Sequence, residues 1–567
     1  MTRASKMTKA FKFAIIFLFK FTLAASAIGF SFQARAQEKL IYHDIKVDSS
    51  GAIVPWYDPD LGRSFDHVVM SVWNFWDTMR ADLNGLPYYM NHQVWRPDFN
   101  DPRGIGGDQI QMALSSWQLL YAYSGNERVK QNMKFLAEYY LSHSLSPENS
   151  VWANLPFPYN TLIYSGVYDG DMVMGRGYLQ PDKAGSFGLE LIHLYKMTTG
   201  DQFFHTTYAR YLDGAKQIAR TLLDHLKNGN DLESPLPYRV NAFTGEIGQF
   251  PISGAHGPVM IVQNYTTNWS ATMELFLELE KLDPANAGEY RKGFEIFITW
   301  MKAYPLKTNR WGPFFEDVPG PADTQINAIT FARFMLEHRE YFANWRVEVP
   351  AIFDWVYRTL GNNKWQKYGV ELVNEQSSYQ MPGQSHVSRQ GATELLYAAL
   401  SGDSSRFVNA TRQLTWATYM VDDDGKNRFI GDENWLTDGY GDYVRHYLRA
   451  MAAWPEIAPG NADHILSSTS VIQQSDYKGQ INKFLVPYVR TEDLDKVHVF
   501  YRAFDDHGVE IIRLAQKPSA VLLNGRLVKE VKLSPEDGPI GYQWTDLKEG
   551  GVLKVVRKQG SEIVVIE

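Results

Sequence analysis

The sequence of 567 residues contains no cysteine, which excludes disulfide bonds, thiolate metal sites and a cysteine nucleophile. It also lacks a basic excess: 56 Lys and Arg stand against 64 Asp and Glu, for a net charge of -8. Without a basic stripe, we expect no nucleic-acid partner. Beyond the N-terminal region, no run approaches the roughly 20 apolar residues that a membrane span requires.

Apolar and aromatic side chains, by contrast, are abundant. Hydrophobic residues make up 44% of the chain and aromatic residues 14%, including 16 Trp and 32 Tyr. This composition is sufficient for a large core. It also suits a site that stacks flat rings.

The N-terminus has the pattern of an export signal. Four basic residues precede the apolar stretch "FAIIFLFKFTLAASAIGF", and an Ala-x-Ala sequence ends at Ala36. We therefore predict a signal peptide over residues 1–36 and an exported bacterial protein, periplasmic or secreted, without membrane insertion after cleavage. The alternative is an uncleaved anchor, but Lys20 would lie within the apolar span at a cost.

Two segments of the chain follow the same plan. "GGDQIQMALSSWQLLYAYSGNE" begins at Gly106, and "PDKAGSFGLELIHLYKMTTGDQ" begins at Pro181. Each has an Asp near its start, a helical spacing of apolar residues, and a Gly-containing turn after which a second helix begins. This pattern predicts a divergent repeat of helical hairpins.

The repeat extends to about twelve helices, or six antiparallel pairs, over residues 37–460. In each pair the first helix is poor in charge and the second is rich in it, as expected for inner and outer helices. The sequence therefore predicts a mainly α fold, an α/α toroid. Connections from outer to inner helices are long, and we expect them on one face of the ring, at the N-terminal ends of the inner helices.

Residues 461–567 show a different pattern. Short alternating or apolar runs such as "KVHVFYRAF" and "GVEIIRLA" are separated by Gly, Asp and Pro. They predict a small C-terminal antiparallel β-domain, sandwich-like, that supports the ring rather than binding carbohydrate.

The long loops contain acids, arginines and aromatics, a mixture typical of sugar sites. An oligo- or polysaccharide substrate is therefore expected, and arginine near the mouth suits a uronate carboxylate. We expect Arg103 or Arg389 to hold it. The full set of predicted substrate-binding residues is Trp95, Arg103, Trp152, His256, Asn264, Tyr379, His386, Arg389 and Trp435.

The two repeated segments resemble the inner helices of the six-hairpin glycosidases, notably unsaturated glucuronyl and rhamnogalacturonyl hydrolases and toroidal β-glucuronidases. The resemblance implies that Asp108 and Asp182 do or support the chemistry. "VYDGDMVM" imitates a further signature of that family, so Asp169 and Asp171 are rival catalytic candidates. Plainer interpretations are helix N-caps for the first pair and a turn for the second.

These observations predict a glycoside hydrolase acting on a uronic-acid-containing glycan, with paired Asp residues as general acid and base. No metal or other cofactor is expected, since no His/Asp set has ligand spacing. One alternative is a polysaccharide lyase that works by β-elimination, with Tyr379 or His386 as the base. Another is a non-catalytic glycan-binding protein. The sequence leaves the sugar, the linkage and the oligomeric state open.

Overall fold

The computed structural model describes residues 38–93, 103–162, 164–200, 208–254, 257–315, 322–430, 439–481, 489–533 and 539–566. The predicted signal peptide lies outside the described residues, and so do three predicted site residues, Trp95, His256 and Trp435. Within the described ranges, no helix is long and apolar enough to cross a bilayer.

Twelve long helices lie within the described part of the chain. They are α1 (Leu61–Asp77), α2 (Gly107–Ser124), α3 (Glu127–His143), α4 (Pro181–Thr198), α5 (Tyr208–Asp224), α6 (Ser270–Leu282), α7 (Ala287–Ala303), α8 (Gln325–Glu337), α9 (Trp345–Leu360), α10 (Gln384–Ser401), α11 (Phe407–Thr418) and α12 (Gly439–Ala453). Short helical turns cover Tyr88–Asn91 and Pro305–Thr308.

The even-numbered helices form a closed inner ring. Each contacts the next in chain order, and α12 contacts α2. Every inner helix also packs on one odd-numbered outer helix, and α12 takes α1 as its partner, which closes the ring with the first helix of the chain. The predicted α/α toroid of six helical pairs is therefore confirmed.

Close contact between neighbouring inner helices depends on small residues. A Cβ at Gly185 of α4 would lie 2.0 Å from Thr272 Oγ1 of α6, so any larger residue there would force the two helices apart. This approach fixes the relative positions of the first turns of α4 and α6.

The loops between pairs contain short antiparallel strand pairs. Their bounds are Lys39–Leu40 with His43–Asp44, Gly170–Asp171 with Gly175–Arg176, Tyr178–Leu179 with Val240–Asn241, Gln249–Gly254 with Gly257–Val262, and Gly361–Asn362 with Leu372–Val373. Four of these five pairs lie in loops that precede inner helices, as the long predicted connections require.

The C-terminal strands form two antiparallel sheets, as predicted. The strands are β1 (His464–Ser468), β2 (Ile472–Tyr477), β3 (Val497–Ala503), β4 (Gly508–Leu514), β5 (Ala520–Leu523), β6 (Arg526–Leu527), β7 (Gly541–Asp546), β8 (Gly551–Arg557) and β9 (Glu562–Ile566). One sheet has the order β1-β4-β8-β7 and the other β2-β3-β9-β5-β6. Their inner faces share one apolar core, which includes Ile512 from the first sheet and Val565 from the second.

This β-sandwich contacts the C-terminal ends of the inner helices. Ser475 Oγ donates to Tyr121 O of α2 at 2.8 Å, and Gln473 Nε2 donates to Lys196 O of α4 at 2.8 Å. Such contacts satisfy carbonyl groups that the last turn of a helix leaves free. The loops before the inner helices therefore lie at the opposite end of the ring, which we call the mouth.

Candidate functional site

The first turns of the inner helices bring buried polar side chains to the mouth. These residues are Asp108, Asp182, Ser270, Gln325, His386 and Asp442, one from each inner helix. They lie far apart in sequence and meet because all six inner helices begin at the same end of the ring. Free backbone N–H groups at these helix ends favour anions.

Asp182, one of the predicted catalytic residues, is fully buried. Its side chain is 0% exposed. Oδ2 accepts a hydrogen bond of 2.9 Å from Asn268 Nδ2 and lies 3.5 Å from Lys183 Nζ, while Oδ1 forms no hydrogen bond with another described residue. One oxygen of Asp182 is therefore engaged, and the other is open to a ligand.

Asp108 occupies the corresponding place in the neighbouring inner helix. It is 4% exposed, and Gln109 Nε2 donates to its Oδ2 at 3.4 Å. Neither aspartate is a helix N-cap, because Gly106 and Gln180 hold those positions. Both are the second residue of their helix, so the capping interpretation does not account for them.

Lys183 supports the position of Asp182. Its ammonium group lies 3.1 Å from the centre of the Phe314 ring and donates to Phe314 O at 3.1 Å. A cation held over an aromatic face in a buried setting is stabilised by the ring quadrupole. The lysine is therefore fixed beside the carboxylate.

His386 and Arg389 lie on the other side of the mouth. Burial, together with the nearby charge of Arg389, lowers the pKa of His386 to about 3, so the imidazole is neutral at ordinary pH. Neither of its ring nitrogens forms a hydrogen bond with another described residue, and Nδ1 lies 3.5 Å from Glu375 Oε1. An imidazole with so low a pKa is a weak base, but its ring nitrogens are open to a hydrogen bond with a ligand.

Arg389 is held by an acid of the protein. It pairs with Asp442 of α12, and its Nη1 donates to Gln325 Oε1 at 3.2 Å. Burial lowers the pKa of Arg389 to about 10, whereas Arg389 and Arg445 outweigh burial to hold the pKa of Asp442 well below its usual range. Binding of a substrate carboxylate by Arg389 would therefore have to share the arginine with Asp442.

A cavity of about 120 Å³ lies along the axis of the ring and is lined by all six inner helices. Near the mouth its wall includes Asn268 and Phe314, the same residues that hold Asp182 and Lys183. Further along the helices the wall is charged, with Glu190, Glu274 and several arginines. The site thus combines a carboxylate at the mouth with a polar interior.

Asp171 and Asp169 instead brace the loop before α4. Asp171 Oδ2 accepts from Arg239 Nε at 3.0 Å and from Gln180 Nε2 at 2.6 Å, and the side chains of Asp171 and Arg239 are both 0% exposed. Asp169 Oδ1 accepts from Thr161 N at 2.7 Å. These contacts support the turn-forming interpretation of "YDGD".

The other predicted binding residues are spread around the mouth. Trp152 is buried and stacks on His225 with ring centroids 4.0 Å apart. Asn264 lines a separate cavity of about 170 Å³. Tyr379 is 45% exposed and stacks on Phe429, and Arg103 is partly buried in the turn before α2. None of these four lines the axial cavity.

Sequence reasoning missed the charged residues inside the ring. Lys183, Glu190, Glu274, Arg333, Arg445 and Arg449 were not singled out, although each stands on an inner helix. Isolated charges within otherwise apolar inner helices are the signal that could have identified them, because a buried charge requires a partner or a ligand. In the described part of the chain, no group of three or more His, Cys, Asp and Glu is arranged to hold a metal.

No protein-family model matches the chain, and no curated protein matches its sequence. Several solved structures share its fold. A cellobiose 2-epimerase from Spirochaeta thermophila is 14% identical, with a TM-score of 0.50, over 70% of this chain and 97% of that one. A sugar epimerase from a ruminal bacterium is 12% identical, with a TM-score of 0.50, over 69% and 98%.

An unsaturated glucuronyl hydrolase specific for heparin is 10% identical, with a TM-score of 0.41, over 69% of this chain and 96% of that one. At such identities a likeness establishes the fold alone. The two epimerase structures, each with a TM-score of 0.50, confirm the predicted resemblance at the level of the fold.

Proposed function

We propose that the chain is a carbohydrate-active enzyme, a glycoside hydrolase acting on a uronic-acid-containing glycan. The observation that carries the proposal is the environment of Asp182: a carboxylate 0% exposed, oriented by Asn268, with a second oxygen that makes no hydrogen bond. A buried carboxylate with an unused acceptor is a costly arrangement, and such groups concentrate at functional sites.

The two aspartates have distinct roles in this proposal. Asp182, paired with Lys183, is the base that activates water, and Asp108 is the acid that protonates the leaving oxygen. Asn268 and Lys183 are positioning residues, because they act through Asp182. Sugar substrates are further supported by the solved structures of the same fold, two of which are described as sugar epimerases.

Conservative variants test the assignment. Asp182→Asn and Asp108→Asn should each lower the rate about 10²–10⁴-fold on uronic-acid oligosaccharides, because Asn cannot transfer the proton. The melting temperature should change little in Asp108→Asn, whereas Asp182→Asn also breaks the buried pair with Lys183 and should melt lower. Asp169→Asn is the matched control in the same mouth and should keep the rate. Full activity in both Asp182→Asn and Asp108→Asn would refute the carboxylate mechanism.

A polysaccharide lyase is the second candidate, supported by His386. Its imidazole is neutral and forms no hydrogen bond with another described residue, so a ring nitrogen is open to the proton next to a uronate carboxylate; with a pKa of about 3 it is a weak base for that step. Elimination creates a double bond that absorbs in the ultraviolet, whereas hydrolysis creates only a reducing end. An absorbance increase that is lost in His386→Gln and retained in Asp182→Asn would favour the lyase. Chromatography of the products would also detect an epimerised sugar, the product of the reaction for which two of the similar structures are named.

We include in the proposal an exported enzyme with a signal peptide over residues 1–36, a catalytic toroid over residues 37–460 and a supporting β-domain over residues 461–567. Expression of the full chain in a bacterial host tests the first part. The mature protein should begin at Gln37 by N-terminal sequencing and be recovered outside the cytoplasm. A mature protein that keeps Met1 and stays with the membrane would show an uncleaved anchor.

A further inference from the structure

Four arginines line the axial cavity: Arg333 of α8, Arg389 of α10, and Arg445 and Arg449 of α12. Few acids of the protein neutralise them. Arg389 and Arg445 share the single carboxylate of Asp442, and Arg333 Nη2 pairs with Glu337 Oε1 at 2.7 Å. Only two carboxylates, those of Asp442 and Glu337, therefore form ion pairs with the four guanidinium groups.

Arg449 is the guanidinium that the protein leaves without a partner. It forms no hydrogen bond or ion pair with another described residue, and the charges that act on it are those of Arg333 and Arg445, opposed more weakly by Glu337 and Asp442. Burial, reinforced by these two cations, lowers the pKa of Arg449 to about 9, so the group is still charged at neutral pH. A buried cation is costly unless an anion compensates it.

The remaining acids of the cavity wall have partners of their own. Glu190 Oε2 lies 3.0 Å from His193 Nδ1, and Glu274 Oε2 lies 3.3 Å from His338 Nε2. Burial lowers the pKa of each histidine, but the facing glutamate outweighs it and raises the net value. These two glutamates are therefore engaged by histidines, and neither forms an ion pair with one of the four arginines.

We propose that the arginine-lined part of the axial cavity is an anion site that takes the carboxylate of a sugar acid. The proposal deepens the proposed function, on which the choice of a sugar acid rests. Arg445 and Arg449 are four residues apart on α12 and so share one face of the helix. The planar guanidinium groups of Arg445 and Arg449, together with that of Arg389 from the neighbouring inner helix, match the geometry of a carboxylate.

The cavity has the length and direction that such a ligand needs. Its lining runs from Ile326 to Glu337 on α8, a separation of eleven positions, or about 16 Å along the helix axis. Side chains on a helix lean towards its N-terminus, so the α12 arginines reach towards the mouth. A volume of about 120 Å³ is far more than the roughly 10–15 Å³ that a single water needs.

Calorimetric titration of the purified full-length protein with glucuronate, glucose and sulfate tests the site. We expect the protein to bind glucuronate and not glucose. Arg449→Gln should lower the affinity for glucuronate at least 10-fold. Arg358→Gln is the matched control, because it removes an equal charge from an exposed position on outer helix α9; it should bind as the unmodified protein does. Unchanged glucuronate binding in Arg449→Gln, or equal binding of glucose, overturns the proposal.

Two further measurements keep the outcomes distinct. Sulfate bound as tightly as glucuronate, and lost in Arg449→Gln, would support the anion site and make a free inorganic anion its occupant. Arg449→Gln should melt no lower than the unmodified protein without ligand, since it removes a partly buried charge that forms no ion pair with another described residue. If the Arg449→Gln protein does not fold, Arg449→Lys replaces it, because lysine keeps the positive charge but lacks the planar guanidinium group. Glucuronate must then bind the Arg449→Lys protein measurably, but more weakly than it binds the unmodified protein.

The test also separates this site from the proposed hydrolase. If glucuronate binding depends on Arg449 but the protein hydrolyses no uronic-acid glycan, the hydrolase proposal is refuted and the anion site is supported. Turnover on uronic-acid glycans with unchanged binding in Arg449→Gln would refute the site and keep the hydrolase.

Discussion

Asn268 Nδ2 donates a hydrogen bond of 2.9 Å to Asp182 Oδ2 and thereby joins two residues 86 positions apart in the chain. Asn268 ends the loop before α6, and Asp182 is in the first turn of α4. The bond orients one oxygen of the carboxylate and leaves the other free of hydrogen bonds. The geometry of the candidate site therefore depends on the approach of two neighbouring inner helices.

Asn268→Ala should lower kcat about 10²-fold, because a carboxylate displaced by about 1 Å loses that much rate. KM should change much less, since Asn268 acts through Asp182. Steady-state kinetics on the best uronic-acid substrate measures both quantities. Asn264→Ala, in the same loop but lining a separate cavity, is the control; an equal loss of kcat there would show that the loop as a whole, rather than the bond to Asp182, is responsible.

Gly185→Ala should destabilise the protein by about 1–3 kcal/mol, the usual cost of overpacking a close contact. The new methyl would lie 2.0 Å from Thr272 Oγ1. Gly288→Ala in outer helix α7 meets no atom within 4 Å and should be neutral or stabilising by about 0.5–1 kcal/mol. Urea unfolding compares the two. A Gly185→Ala protein as stable as the Gly288→Ala protein would contradict the packing argument.

Asp171→Asn should lower the free energy of unfolding by about 3–5 kcal/mol, because it breaks a buried ion pair and leaves the charge of Arg239 without the carboxylate that compensates it. Asp169→Asn should cost less than about 1 kcal/mol, since the side chain of its partner Arg176 is 76% exposed. Thermal or chemical unfolding gives both values. Similar stabilities of the two variants would indicate that the Asp171 pair is not the brace of this loop.

Glu394→Gln should change how stability depends on pH. Burial raises the pKa of Glu394 from 4.5 to about 7, against the opposing charge of Arg406. The folded state therefore keeps a proton that the unfolded state loses near pH 4.5, and stability falls as pH rises from about 4.5 through 7. The difference between the unfolded pKa of 4.5 and the folded pKa of about 7 corresponds to a loss of about 3 kcal/mol in the free energy of unfolding.

Gln cannot titrate, so the Glu394→Gln protein should lack this fall and exceed the parent in stability at pH 8 by up to about 3 kcal/mol. Urea unfolding at pH 5 and pH 8 provides the comparison. Glu295→Gln, at an exposed position of α7, should leave the pH dependence unchanged. A parallel pH profile for the Glu394→Gln protein and its parent would show that Glu394 titrates normally in the folded state.

Much of the secondary structure was predictable from the sequence. The segments "LLYAYSGNE" and "LLYAALSGD" contain the turns that end α2 and α10. Each turn has a glycine in the left-handed region, with φ of 65° at Gly125 and 79° at Gly402. Glycine adopts this conformation without steric cost, so the helix ends are visible in the chain. The alternating runs after residue 461 likewise appear as the predicted antiparallel strands.

The roles of individual polar residues were less accessible. Asp171 and Asp182 look alike in sequence, each an acid close to the start of α4. The structure encloses Asp171 in a network with Arg239 and leaves one oxygen of Asp182 without a hydrogen bond. That difference comes from residues many positions away along the chain, which no local pattern specifies.

The sequence by itself determined the helices, their pairing through tight turns, the strands of the C-terminal region and the face that carries the long loops. Each of these depends on residues a few positions apart, whose spacing expresses helix and strand periodicity directly. Only the tertiary structure decided that α12 closes the ring by packing on α1, that Asn268 meets Asp182, and that the arginines of α8, α10 and α12 face one cavity. Those contacts depend on how the helices rotate and approach one another, and this is set by packing across the whole ring rather than by any local stretch of chain.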